Sequence, residues 1–108
     1  MNKQIEEQFQ QEMLGLYQKA GNEIGYWANR YLRTVRQKGG LQAAKDWLRP
    51  VSHLSLPEGL NRLAKKDRLD LSMEALVLQE PWRQLFTRSE LRIAEERLSF
   101  LKKYGHQI

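Results

Sequence analysis

The side chains of this 108-residue chain able to take up a proton near neutral pH are two histidines, His53 and His106, and there is no cysteine. Neither histidine has a second ligand at the three- or four-residue helical spacing of a metal site. Without cysteine there is no disulfide, thiolate zinc site, iron–sulfur cluster or cysteine nucleophile. No P-loop, GxGxxG or GxSxG occurs. The carboxylates are scattered. Glu95 and Glu96 point about 100° apart on a helix and cannot work as a pair on one substrate. Asp70 and Glu74 stand near a helix start, where acids complement the helix dipole. The expectation is a non-enzymatic protein with no cofactor and no metal.

Basic chemistry is better represented. Lys and Arg number 18 against 13 acidic residues, a net charge of +5, with a pI of about 9.7. Residues 30–49 hold Arg30, Arg33, Arg36, Lys38, Lys45 and Arg49 against Asp46 alone, so most of the excess sits there. Arg30, Arg33 and Arg36 fall opposite the apolar stripe Ile24, Trp27, Ala28, Tyr31 and Val35, giving an arginine face suited to phosphate contacts. Lys38 beside it, with Lys65 and Lys66 further on, completes the candidate phosphate-contacting set; an ordinary solvated face accounts for the same pattern. Gly39-Gly40, flanked by Arg36 and Lys38, is a candidate anion-binding corner at a helix start, although a tight corner needs glycines anyway. Arg49-x-x-x-His53 is similar to the R-x(4–6)-H pattern of some helical ribonucleases. It is one residue short and crosses Pro50, so the two side chains do not share a helix face.

These residues need helices to position them. Ile5, Phe9, Met13, Leu16, Tyr17 and Ala20 recur at helical spacing, predicting an N-terminal amphipathic helix over 3–20, a candidate peripheral element. Gly21-Asn22 is expected to interrupt it, with Asn22 capping a second helix that Gly39 stops. Leu41, Ala44, Trp47 and Leu48 give a short third helix, ended by Pro50. "PVSHLSLP", residues 50–57, reads as a connector, and Pro57 as the first residue of a fourth helix carrying Leu60, Leu63 and Ala64. Asp70 or Ser72 caps a short helix in "LDLSMEALVL", whose Ala75, Leu76 and Leu78 read as core. Leu69–Leu71 is a short extended candidate. Pro81 restarts the chain for a turn with Trp82, Leu85 and Phe86, and "TRSE", Thr87 to Glu90, is a capping box for a last helix reaching Gly105.

From Gly39 on, "GGLQAAKDWL" and "EGLNRLAKKDRLDLSMEALVLQEPWRQLFTRSELRIAEERL" resemble a small, uncharacterised bacterial all-helical family. Its pattern runs "GG…A-K…EG…RLDLS-x-EALVL…LFT-x-E", and the resemblance spans roughly Tyr26 to Tyr104. It implies a bacterial or mobile-element origin and no known activity. The stretch "LNRLAKKDRLDLSMEALV" also has the texture of a DNA-binding helix-turn-helix. The usual register, however, wants an apolar residue at Glu74 and a small one at Arg68.

The sequence thus predicts an all-α, compact orthogonal bundle of five or six helices in a single domain, 1–108. It is long enough to bury roughly two thirds of its unfolded surface. A polar N-terminus and the lack of an apolar run of ~18 residues point to a soluble cytoplasmic protein with no membrane association. The last helix has Leu91, Ala94, Leu98 and Leu101 as a core stripe and a second seam of Ile93, Arg97, Phe100 and Tyr104. A helix apolar on two sides is central in its own domain or covered by a partner. With Trp82 and Phe86 extending it, this seam is the candidate interface for a protein partner or a homo-oligomer. Protein–protein interaction is therefore the first functional expectation, and a nucleic-acid-binding accessory role through the arginine face is the alternative.

Overall fold

Phe9 and Met13, one turn apart on the first apolar stripe, are fully buried and anchor helix α1 (Lys3–Ile24). In this computed structural model, residues 3–50 and 56–105 are described. His53, His106 and most of the 50–57 connector lie outside the described residues. The fold is all-α, as expected, with six α-helices and two 3-10 turns and no strand among the described residues. The sequence treats 1–108 as one domain; the chain gathers into two compact units, Met1–Trp47 and Leu48–Ile108. The division falls between Trp47 and Leu48, shortly before Pro50.

In the first unit α1 packs against α2 (Asn29–Lys38) and α3 (Gly40–Trp47). Within this unit α1 supplies the two largest fully buried side chains, Phe9 and Met13. Val35, Ala43 and Ala44 close the core from the other two helices. Tyr31 ties all three together. Its hydroxyl donates to the Met13 carbonyl at 2.8 Å, and its ring stacks on Trp47 at 5.4 Å and 18°.

Gly21-Asn22 does not break α1, contrary to the expectation. The helix continues to Gly25, whose φ of 70° supplies the left-handed stop and whose N–H donates to the Gly21 carbonyl at 3.1 Å. Asn22 is therefore inside α1, and α2 begins at Asn29 with no side-chain cap. Gly39 ends α2 as expected, its N–H donating to the Val35 carbonyl at 2.9 Å.

The second unit contains α4 (Glu58–Lys65), a 3-10 turn (Leu69–Leu71), α5 (Met73–Val77), a second 3-10 turn (Trp82–Leu85) and α6 (Arg88–Tyr104). Pro57 precedes α4 as its N-cap rather than opening it, and the extended candidate at Leu69–Leu71 is the first 3-10 turn. Ser72, not Asp70, caps α5, accepting from the Ala75 N–H at 3.0 Å. The Thr87–Glu90 capping box forms in both directions, at 2.8 and 3.1 Å. Leu60, Ala64, Leu98 and Leu101 make a buried cluster between α4 and α6, with Leu69, Ala75, Leu78 and Phe100 packed against it. "LDLSMEALVL" is core, but shifted: Leu71, Met73, Leu76 and Val77 are buried, while Ala75 and Leu78 are half-buried.

Candidate functional site

Val35 and the half-buried Tyr31 and Leu32 turn one side of α2 inward, which leaves Arg30, Arg33 and Arg36 fully on the solvent side. Successive arginines are displaced by about 4.5 Å along the axis. None of the three makes an ion pair with any described residue. Lys38 differs. Its ammonium sits 2.8 Å from Asp46, which also accepts from Gln42 at 2.9 Å. At the glycine corner the amides of both glycines are taken, that of Gly39 by the Val35 carbonyl. The Gly40 N–H donates to the Gln10 side chain, which reaches over from α1. Lys65 and Lys66, at the end of α4 in the second unit, are exposed, while nearby Arg62 and Arg68 are paired with Glu58 and Asp70 at 3.1 and 3.0 Å.

The turn leading into α2 holds a residue that sequence reasoning placed in the core. Trp27 was expected in the apolar stripe of the second helix; instead it lies in the turn after Gly25 and is 43% exposed. The longer α1 is the cause, because it pushes the corner from residue 21 to residues 25–28. The indole is nevertheless held. Its six-membered ring lies on Gly21, where a Cβ would overlap the ring atoms. Tyr17 packs against it with ring centroids 5.4 Å apart, tilted 58°, and the Tyr17 hydroxyl donates to Asn29 Oδ1 at 2.7 Å.

The second seam of α6 separates into unlike parts. Arg97, expected at the interface, is 4% exposed, and its Nη1 donates to Glu74 Oε2 at 2.9 Å. Glu74 is 3% exposed. Burial pushes its carboxyl up from the ordinary value of 4.5, against the opposing charge and hydrogen bond of Arg97. Phe86, also expected there, is buried. Ile93, Phe100 and Trp82 are half-buried, and Phe100 packs on the α4–α6 cluster. Tyr104 alone stands well out, 39% exposed, with its ring 5.0 Å from that of Phe100. The seam thus largely serves the inside of its own unit: α5 takes Arg97 and α4 takes Leu98 and Leu101.

The helix-turn-helix texture has a related explanation. The position at which that register wants an apolar residue, Glu74, is buried here and paired with Arg97. Moreover, α5 spans only five residues, little more than one turn. Among the described residues no three His, Asp or Glu side chains gather as a metal site, and no helix is long and apolar enough to cross a membrane. No protein-family model, curated protein or solved structure matches the chain.

Proposed function

We propose that this is a non-enzymatic accessory protein that binds nucleic acid through the arginine face of α2. The observation that carries the reading is the state of Arg30, Arg33 and Arg36: exposed, on one helix, with no carboxylate among the described residues to neutralise them. Guanidinium groups in that condition are suited to phosphate oxygens, which they meet with two parallel hydrogen bonds. Each phosphate neutralised releases counterions, so such binding weakens steeply as salt is added. Changing all three to Gln should leave the fold intact, since none touches the core. It should lower affinity for RNA or DNA by about tenfold or more at moderate salt and flatten the salt dependence. A gel shift in which the unaltered protein shows no salt-sensitive binding refutes this function.

A second reading, partner binding or self-association through the end of α6, is supported by Tyr104, whose exposed ring continues from Phe100. An apolar contact of that kind keeps its strength as salt is added, which separates the two readings in one titration. Phe100→Glu with light scattering and thermal melting tests it further. Dispersal of an oligomer at an unchanged melting temperature supports the interface; loss of fold in a chain that never associated rules it out.

A further inference from the structure

Exposed tryptophans are costly to keep in water, and Trp27 is kept there in one defined position. One face of its six-membered ring rests on Gly21, Tyr17 tilts against it at 5.4 Å, and Tyr17 is itself tied to Asn29 at 2.7 Å. The backbone beneath is fixed as well. Tyr26 N–H donates to the Ala20 carbonyl at 3.1 Å, and Asn29 N–H to the Trp27 carbonyl at 2.9 Å. A side chain held this way loses little conformational freedom when something lands on it. Trp27 stands three residues before Arg30, so the chain passes directly from an exposed aromatic ring into the row of three exposed arginines.

An exposed aromatic ring that precedes a basic helix face in the chain supplies the two elements that grip a single strand: bases stack on the ring while the backbone follows the charges. A duplex keeps its bases stacked on each other and offers the indole no free face. Stacking of this kind is tolerant of sequence, because every base has a π face.

We propose that Trp27 is a stacking platform for an unpaired nucleobase, with Arg30, Arg33 and Arg36 holding the adjoining phosphates, so that the ligand class is single-stranded nucleic acid. This rests on the phosphate-binding reading of α2 and adds to it a preference for strands over duplexes. The ring lies at the N-terminal end of α2 and the arginines run toward its C-terminal end, which gives the bound strand a defined place to begin.

The test is fluorescence anisotropy with a labelled oligothymidine, a labelled single-stranded RNA of mixed sequence and a duplex of the same length, at low and moderate salt. The unaltered protein is expected to favour both single strands over the duplex. Trp27→Leu, which keeps Gly21 covered but removes the π system, should weaken single-strand binding by about tenfold. Its duplex binding and salt dependence should not change. Trp27→Phe should retain most of the single-strand affinity, and circular dichroism melting verifies that both variants fold. Quenching of intrinsic fluorescence by oligothymidine should also diminish in Trp27→Leu. If duplex and single strands bind alike and Trp27→Leu binds as the unaltered protein does, the platform is overturned while the arginine reading stands. If no nucleic acid binds in a salt-sensitive way, both fall together. If Trp27→Leu and Trp27→Phe lose single-strand and duplex affinity equally, the ring supports the fold of the turn and is no platform.

Discussion

Arg33 and Arg97 each lie on a helix with an apolar stripe, yet one stands in water and the other is sealed against Glu74. The difference lies in how neighbours are arranged around each helix. α2 meets α1 and α3 on a single stripe, because Tyr31 reaches the Met13 carbonyl and the Trp47 ring at once. Its far side is left free. α6 has neighbours on separate sides, α5 against Arg97 and α4 against Leu98 and Leu101, so little of it is left over. A charged residue opposite a single stripe is a reliable sign of exposure. A charged residue between two stripes is not.

Four experiments break or sharpen that comparison. The largest effect is expected from Arg97→Ala, which leaves the Glu74 carboxylate buried without its counter-charge and should cost about 3–5 kcal/mol in a urea melt. Replacing both partners, Glu74→Leu with Arg97→Met, should recover most of that loss, since an apolar pair of similar volume is often as stable as a buried ion pair. Phe100→Glu comes next, at about 2 kcal/mol, because its ring packs on Leu60, Ala64, Leu98 and Leu101. No change in melting temperature there would mean the second seam is surface after all.

The third concerns pH. Burial raises the Glu74 carboxyl above 4.5, so between 4.5 and that raised value the native state keeps a proton that the unfolded chain has released. The stability owed to this group is greatest below about 4.5 and declines as pH rises through the raised native value. Glu74→Gln should flatten that decline in urea melts taken from acid to neutral pH; an identical slope would place the titration elsewhere. Smallest of all, Arg33→Ala should shift stability by no more than about 0.5 kcal/mol. A larger loss would show that the arginine face has a structural partner.

Features with local causes were legible in the sequence. The Thr87–Glu90 box and the Gly39 stop depend on residues within three or four positions, and both form as read. The arginine face needed only the helical period. The Glu74–Arg97 pair was hidden because its members are 23 residues apart, so that Glu74 read as an acid at a helix start and Arg97 as part of an interface. Trp27 was misplaced for a similar reason. Gly21 in a sequence signals a break, and only the packed turn shows that it is an opening for a ring. The candidate base platform was therefore invisible until the end of α1 was known, whereas the candidate phosphate contacts were readable from the start.

A glycine inside a helix is an early target of a stabilisation effort, for a gain of up to about 1 kcal/mol in helix propensity on replacement by alanine. At Gly21 the added methyl group would occupy the volume of the Trp27 ring. Gly21→Ala is thus expected to make α1 a better helix and the protein a poorer ligand trap, with the indole driven off its seat and its emission shifted to the red. In this molecule one missing methyl sets helix strength against the capacity to adhere.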